Sequence, residues 1–211
     1  MATTSHQPLI AEMLDPSRRN TPLPASNLER EETQRLNGDS LAAVVSACQH
    51  GDRAAQRQLY DACHQSMFRL AVRMVGLQDA ADVTQQVFLQ AFRSIGQFHG
   101  RSRFETWLYR LAVNESLQYL RRNRRWRHRH LDWEPMDQSH HDDADRRELF
   151  EQALARIDPE LRSIFVLREV ERLSYREIAE ALQIPEGTVG SRLNRARREL
   201  RQHLSDLGLE I

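Results

Sequence analysis

Apolar residues recur at every third or fourth position along most of this 211-residue chain. This spacing places them on one face of an α-helix, and no segment shows the alternation of a half-buried β-strand. Gly51 and Gly76 interrupt the apolar stripes. Capping residues stand where helices would begin, namely Asp52, Asp79 and Asp158. The sequence therefore predicts an all-α fold of two small helical domains joined by a flexible linker.

The predicted domains differ in composition from the segments around them. Residues 1–38 hold four of the seven prolines with scattered Ser, Thr and Asn, so we expect a disordered N-terminal tail. Helical spacing runs through 39–123 and again through 146–211, which we predict to be the two domains. Residues 124–145 lack a steady period, change charge sign midway and include Pro135. We interpret them as the linker.

Histidines and tryptophans in the predicted linker raise two questions. The four histidines match no standard ligand spacing and lie in a polar run, which favours a solvated linker over a metal site. The tryptophans fit packing on a neighbour and stacking on nucleic acid equally well. We predict neither a metal nor a cofactor. These residues are His128, His130, His140 and His141, with Trp126 and Trp133.

Charge is unevenly distributed along a chain whose formal net charge is zero. Residues 101–129 contain nine arginines and two acidic residues, and residues 191–201 contain five arginines and one glutamate. Two local basic segments of this kind suggest contacts with a polyanion. Cys48 and Cys63 lie at apolar helical positions, as expected for reduced core residues of a cytoplasmic protein. No apolar run is long enough to suggest membrane insertion.

The segment LSYREIAEALQIPEGTVGSRLNRARREL, residues 173–200, predicts a helix-turn-helix. Ser174 and Glu177 form a capping box at the start of a short helix. Pro185 cannot extend that helix, so the chain turns and a second helix begins. Positive charge is confined to the second helix, where arginine and asparagine could contact base edges in a major groove. The alternative is a basic, solvated helix in a protein–protein bundle.

Two separate blocks of the chain resemble one family. The first block contains DAADVTQQVFLQAFR and, after the residues FHGRSRFE, the segment TWLYRLAVN. It closely resembles the second domain of bacterial RNA polymerase sigma factors of the extracytoplasmic-function (ECF) type. IAEALQIPEGTVGSRLNRARREL resembles the helix-turn-helix of the fourth domain of the same family. The resemblance covers about 39–204 in the family's order. It identifies 39–123 as sigma region 2 and 146–211 as sigma region 4.

The resemblance implies three functional surfaces and their partners. The third helix would dock on the clamp helices of the largest subunit of core RNA polymerase, through Asp82, Gln85, Gln86 and Gln90. The fourth helix and the loop before it would melt promoter DNA and bind the minus-ten element, through Arg101, Ser102, Arg103, Asn114, Gln118, Arg121 and Arg122. The helix after Pro185 would bind the minus-thirty-five element, through Thr188, Ser191, Arg192, Asn194, Arg195 and Arg198. The family also implies an anti-sigma factor as a partner.

Several residues of the first domain carry their own expectations. Tyr109 and Tyr119 would add aromatic surface for a melted strand. Trp107 has the apolar spacing of a core residue. Asn114 sits at a position predicted to point partly inward. Many family members have aspartate at the position of Gln118.

We expect a non-catalytic initiation factor, and we weighed two other classes. A two-domain repressor or activator would bind duplex DNA without polymerase, and the TWLYRLAVN block beside a polar docking helix argues against it. A nucleic-acid enzyme such as a recombinase would need paired metal-binding carboxylates or an activated nucleophile, and no such constellation can be argued here.

Many relatives carry a basic residue where Gly190 stands on the second helix.

Overall fold

The computed structural model describes residues 41–123 and 143–209, with side chains from 148 onward in the second range. Every regular element in these ranges is helical, which confirms the predicted fold of two helical domains. The predicted tail, residues 1–38, and the linker tryptophans and histidines lie outside the described residues. The helices are α1 over 41–49, α2 Arg53–Val75, α3 Leu77–Ser94, α4 Phe104–Arg122, α5 Asp143–Arg156, α6 Pro159–Phe165, α7 Tyr175–Leu182 and α8 Glu186–Asp206.

Helix starts in the N-terminal domain follow local capping chemistry, with one correction. The Asp52 carboxylate accepts hydrogen bonds from the backbone N–H groups of Ala54 and Ala55, as predicted. Gly76 ends α2 with a φ of 93°, in the left-handed region that glycine adopts without steric penalty. The next helix begins directly at Leu77, so Asp79 lies in its first turn and is not its cap.

The core of the N-terminal domain forms where α2, α3 and α4 pack together. Leu59, Leu70 and Met74 of α2 are buried, and both cysteines are free and buried, as expected for core residues. Burial raises the pKa of the Cys63 thiol to about 12, and the Glu105 carboxylate adds to the shift. A short 3-10 turn, Ile95–Gln97, and a loop connect α3 to α4.

The C-terminal domain contains α5 to α8. Its first helix begins at Asp143, so 143–145, which we assigned to the linker, are helical. The sequence is acidic at this point, and an acidic sequence is as typical of the first turn of a helix as of a linker. Asp158 caps α6 by accepting from the N–H groups of Glu160 and Leu161, with Pro159 in the first turn, as predicted.

A π-helical turn, Val166–Val170, continues α6, and Arg172 follows it with a φ of 60°. The capping box of Ser174 and Glu177 is present at the start of α7. Gln183 takes the left-handed conformation at the end of α7, with a φ of 55°, and Pro185 precedes α8. This geometry is the predicted helix-turn-helix.

The two domains pack against each other. In the described part of the chain, α4 contacts α6 and α7, and α2 contacts α5 and α6. Apolar residues of both domains form one continuous buried cluster. The composition of the linker had suggested two domains without a fixed relative position. Linker composition carries no information on whether the surfaces of the two domains are complementary.

Candidate polymerase-docking and DNA-binding surfaces

The outer face of α3 carries a polar stripe, which we name the α3 stripe: Asp82, Gln85, Gln86 and Gln90. All four side chains are exposed, and the residues recur at the spacing of one helical face. The opposite face buries Val83, Val87 and Ala91. Thr84 is also buried, and its hydroxyl donates to the Ala80 carbonyl at 2.7 Å.

Apolar residues that the sequence analysis missed lie beside the α3 stripe. Leu89 is 41% exposed and Tyr60 is 38% exposed, so both add apolar area to the surface beside the stripe. The Tyr60 ring lies 4.7 Å from the Phe88 ring, centroid to centroid. Together with His64, Phe68, Gln85 and Phe92 these residues line one groove. The sequence could have predicted this groove, because Tyr60, His64 and Phe68 repeat at helical spacing beside the main apolar face of α2.

A second exposed face runs along α4, and we name it the α4 stripe: Asn114, Gln118, Arg121 and Arg122. Asn114, Arg121 and Arg122 are exposed and Gln118 is half-buried. The Arg122 guanidinium donates to the Gln118 side-chain carbonyl at 3.2 Å.

The predicted inward position of Asn114 is wrong. Its neighbours Ala112, Val113 and Ser116 form the buried face, and helix geometry turns Asn114 to the opposite side.

Aromatic residues of α4 divide between surface and interior. Trp107 lies at the start of the exposed face, half-buried, and packs on Phe98 and Phe104 with ring centroids 5.6 and 5.4 Å away. Its contact with the core agrees with the expected apolar role. Tyr109, which we expected at a DNA surface, is buried. Its hydroxyl donates to Glu171 of the other domain at 2.7 Å. Burial and that carboxylate raise the pKa of Tyr109 above its ordinary value.

The loop before α4 holds the other predicted minus-ten residues. Arg101 and Arg103 are exposed, and Ser102 is half-buried. Gly100 has a φ of 69°, which suits a tight turn. The Arg103 guanidinium lies 3.3 Å from the Glu105 carboxylate and 3.6 Å from that of Glu177, which belongs to the helix-turn-helix.

The helix-turn-helix presents a third face, the α8 stripe: Thr188, Ser191, Arg192, Asn194, Arg195 and Arg198. Ser191, Asn194, Arg195 and Arg198 are exposed, whereas Thr188 and Arg192 at the flank are half-buried. Val189, Leu193, Ala196 and Leu200 are buried on the opposite face. The Ser191 hydroxyl donates to the Thr188 carbonyl at 2.9 Å, and Arg195 pairs with Glu199 at 2.9 Å.

Arg197 does not belong to this exposed face, although it lies on the same arginine-rich helix. It follows Leu193 by four residues, which places it on the buried side of the helix. The Arg197 side chain is 9% exposed, and its guanidinium donates through Nε to Glu169 Oε1 at 3.2 Å. Glu169 belongs to the π-helical turn, so its ion pair with Arg197 links α8 to that turn.

Gly190 lies on the side of α8 that faces α7. A Cβ atom built there would meet the Tyr175 ring at 3.5 Å, an ordinary contact. The Arg168 guanidinium lies over the same ring, 5.4 Å from its centroid. The first atoms of a long basic side chain at position 190 would therefore contact the Tyr175 ring, over which Arg168 already lies. Glycine at this position leaves that space open.

No group of three or more His, Cys, Asp or Glu residues within 41–123 and 143–209 could hold a metal ion. None of the helices in those same ranges is long and apolar enough to cross a membrane.

Comparisons with known proteins match both domains. The model of Sigma-70 region 2 matches residues 59–126, and that of Sigma-70, region 4 matches residues 147–200. The chain is 35% identical to the ECF RNA polymerase sigma-E factor of Haemophilus influenzae, covering 78% of this chain and 95% of the relative. It is also 35% identical to the RNA polymerase sigma-H factor of Pseudomonas aeruginosa, covering 78% and 93%.

Solved structures share the fold. The structure of CnrH in complex with the cytosolic domain of CnrY aligns with a TM-score of 0.59 at 22% identity, covering 78% of this chain and 96% of that one. The sigma factor RpoE in complex with the anti-sigma factor NepR from Bartonella quintana aligns with a TM-score of 0.56, also at 22% identity, over 71% and 96%. With both family models in order and close relatives covered almost end to end, the chain belongs to the ECF sigma factors of the sigma-70 family, which direct RNA polymerase to initiate transcription.

Proposed function

We propose that the α3, α4 and α8 stripes are the polymerase, minus-ten and minus-thirty-five surfaces of this sigma factor. The observation that carries the proposal is their shared construction. Each stripe is a solvent-facing polar row on a helix whose opposite face is buried. A packed core therefore holds each row rigidly, as recognition surfaces require.

The α3 stripe would dock on the clamp helices of the largest polymerase subunit. Its one acidic and three amide side chains offer hydrogen bonds to a basic or polar protein surface. Leu89 and Tyr60 beside it add exposed apolar area, and buried apolar contacts at the centre of an interface contribute most of its affinity. A polar rim around an apolar centre is the usual construction of a protein–protein interface.

The α4 stripe would hold the melted minus-ten strand. Single strands bind where positive charge follows the backbone and amide or aromatic groups meet the bases. Arg101, Arg121 and Arg122 supply charge around Asn114 and Gln118. Arg103 would exchange its two glutamate partners for phosphate when DNA arrives.

The α8 stripe would enter the major groove of the minus-thirty-five element. Arginine reads guanine through two hydrogen bonds and asparagine reads adenine, so Asn194 and Arg195 are suited to base contacts. Arg198 and Arg192 would position the helix on phosphates. The Arg192 guanidinium lies 3.9 Å from Glu160, a distance at which phosphate can compete for it.

This function is regulatory and non-catalytic, and the polymerase performs the chemistry in the cytoplasm. The solved relative RpoE is in complex with an anti-sigma factor. By analogy, we propose an anti-sigma factor as a further partner of this chain. No cofactor enters the proposal.

Reconstituted transcription tests the proposal. Core enzyme with this protein should initiate at specific sites on a genomic library, and neither component alone should do so. Asp82→Arg with Gln85→Ala should weaken core binding in a titration while helicity is unchanged. Asp61→Arg is the matched control, because it makes the same charge change on an exposed position of α2 outside the stripe.

A chain that binds promoter duplex specifically but neither binds core enzyme nor supports initiation would instead be a repressor or activator. Unchanged core affinity in the α3 double variant would remove the docking assignment alone.

A further inference from the structure

Gln49, the last residue of α1, contacts the beginning of the loop that precedes α4. Its side-chain amide nitrogen donates to the Ile95 carbonyl at 3.0 Å and to the Phe98 carbonyl at 2.8 Å. An amide nitrogen carries two hydrogens, and these two carbonyls use both of them. They also determine which way the amide points, because the opposite orientation would place its oxygen against two other oxygens. One side chain therefore joins α1 to the 3-10 turn and to the residue after it.

The position of Gln49 is itself fixed by its surroundings. Val45 and Cys48 are the buried residues of α1, with 4% and 2% of their surface exposed. Directly after Gln49 the chain turns, and the Gly51 N–H donates to the Cys48 carbonyl at 3.0 Å. Gln49 therefore projects from a rigid corner of the fold. A residue that is to hold a functional loop in place needs such support.

Phe98, whose carbonyl binds Gln49, is anchored a second time through its ring. The ring meets Phe104 edge-on, with centroids 5.4 Å apart, and its centroid lies 5.6 Å from that of Trp107. The Phe98 N–H donates to the Ile95 carbonyl at 3.0 Å. Phe98 is therefore held by α1 on one side and by α4 on the other.

The five residues 99–103 connect Phe98 to the first residue of α4. Three of them, Arg101, Ser102 and Arg103, belong to the proposed minus-ten surface. Because the span is short and both of its ends are fixed, the direction of the backbone at Phe98 decides where these side chains lie. A loop that is ordered before its ligand arrives loses less conformational freedom on binding.

We propose that Gln49 is a positioning residue for minus-ten recognition, which holds the loop before α4 in the conformation that receives the melted strand. This inference rests on the proposed function of that loop. The alternative is a contact that only stabilises the fold. Gln49 is exposed, so water can replace its hydrogen bonds, and bonds of this kind add little to the free energy of unfolding. Its loss should therefore change the loop more than the stability of the protein.

Two variants of Gln49 test the proposal in the full-length protein. Gln49→Glu keeps the size and shape of the side chain but replaces the donor group with an oxygen, which the two carbonyls repel. Gln49→Lys supplies donors again through its ammonium group. Gln65→Glu and Gln65→Lys are the matched controls, because they make the same charge changes at an exposed position of α2 outside the three stripes.

Hydrogen exchange of the free protein, followed by NMR, measures the loop directly. The Phe98 amide reports whether the turn is closed, because it donates to the same Ile95 carbonyl that binds Gln49. It should exchange several-fold faster in Gln49→Glu, while amides within α2 and α8 exchange as in the parent. Gln49→Lys should return towards the parent. Unchanged exchange at Phe98, or equal acceleration throughout the protein, would overturn the proposal.

Holoenzyme assembled with each variant supplies the functional readout, on the strongest promoter that the genomic library yields. Gln49→Glu should reduce opening of the minus-ten region several-fold, measured by permanganate footprinting, and should flatten the base preference there. Its affinities for core enzyme and for the minus-thirty-five duplex should equal those of the parent. Gln49→Lys should recover part of the opening, and both Gln65 variants should match the parent.

Normal opening and normal base preference in Gln49→Glu, although Phe98 exchanges faster, would overturn the positioning role. An equal loss of core and duplex binding would do the same, because it would indicate general destabilisation. Arg101→Ala and Asn114→Ala separate this inference from the proposed function. If they and Gln49→Glu all open DNA as the parent does, the minus-ten assignment itself is wrong. If only Gln49→Glu does so, that assignment stands and the role of Gln49 is wrong.

Discussion

Arg195 and Arg197 lie two positions apart on α8 and have different roles. Arg195 is 63% exposed at its side chain and pairs with Glu199 of the same helix. Arg197 is nearly buried and pairs with Glu169. An angle of about 200° separates their directions around the helix, which sends one side chain to solvent and the other to the core. Residue type alone therefore does not decide which arginine contacts DNA.

We expect Arg197→Ala to lower the free energy of unfolding by about 3–5 kcal/mol, because it leaves the buried Glu169 carboxylate without its partner. Urea denaturation of the full-length protein measures this loss. The double variant Arg197→Met with Glu169→Leu should recover most of it, since no charge remains buried. A loss below about 1 kcal/mol in the single variant would show that solvent reaches the pair.

We expect Arg195→Ala to weaken specific minus-thirty-five binding by about 1–3 kcal/mol and to relax preference at one base pair. Its exposed pair with Glu199 holds it only weakly, so the side chain is free to exchange partners. Binding to duplexes substituted at each position measures both effects. Arg198→Ala is the comparison: it should weaken binding to all sequences alike and reduce the salt dependence by about one unit. Equal behaviour of the two variants would contradict the assignment.

At the scale of a helix, α4 serves two surfaces at once. One face carries Asn114 and Gln118 to solvent, and the other buries Tyr109 and Ser116. The Ser116 hydroxyl is satisfied within the helix, donating to the Ala112 carbonyl at 2.7 Å. The polar face can therefore change without disturbing the buried one, which makes it accessible to mutational tests.

We expect Asn114→Ala and Gln118→Ala to leave upstream duplex binding intact and to reduce opening of the minus-ten region, because their proposed ligand is an unstacked strand. Permanganate footprinting of the holoenzyme at a cognate promoter measures the opening. Glu115→Ala, at a half-buried neighbouring position on the same helix, should have a smaller effect. If both variants open DNA as well as the parent, the α4 stripe is not the minus-ten surface.

Caps, turns and apolar faces could be predicted because each depends on a few neighbouring residues. The capping box at Ser174 and the start of a second helix after Pro185 agree with the sequence analysis. Tyr109 could not be predicted, because its partner Glu171 is 62 positions away and comes from the other domain. The exposed position of Leu89 was also missed, because an apolar residue is expected in the core and Leu89 lies on an otherwise polar face of α3.

At the scale of the whole molecule, the domains behave as one packed body with a polar seam. Apolar packing continues across the boundary, and Glu171 and Arg162 each make a hydrogen bond to the N-terminal domain there. This combination explains how two separately recognisable domains can share a core. It also explains why family resemblance, which treats the domains one at a time, does not reveal their contact.

We expect the native protein to react with thiol reagents orders of magnitude more slowly at pH 8 than the unfolded chain does. The Cys63 pKa of about 12 keeps the folded thiol protonated, and its side chain is buried. Raising the pH towards 12 should increase thiolate in the folded state, and the same shift should destabilise the fold above pH 9, the ordinary pKa of an unfolded cysteine. Mass spectrometry after timed alkylation measures the rates. Rapid labelling at pH 8 would contradict the burial.

Cys63 also lines a cavity with Leu108 and Tyr109, directly behind the residue that contacts Glu171. Its labelling rate therefore distinguishes two kinds of motion. If the domains swing apart as rigid bodies, Glu171→Arg lengthens the interdomain distance but leaves the Cys63 rate constant unchanged. If separation loosens α4 itself, the rate constant rises with the distance. A thiol already present in the chain thus reports whether the two domains separate as rigid bodies or through partial unfolding of α4.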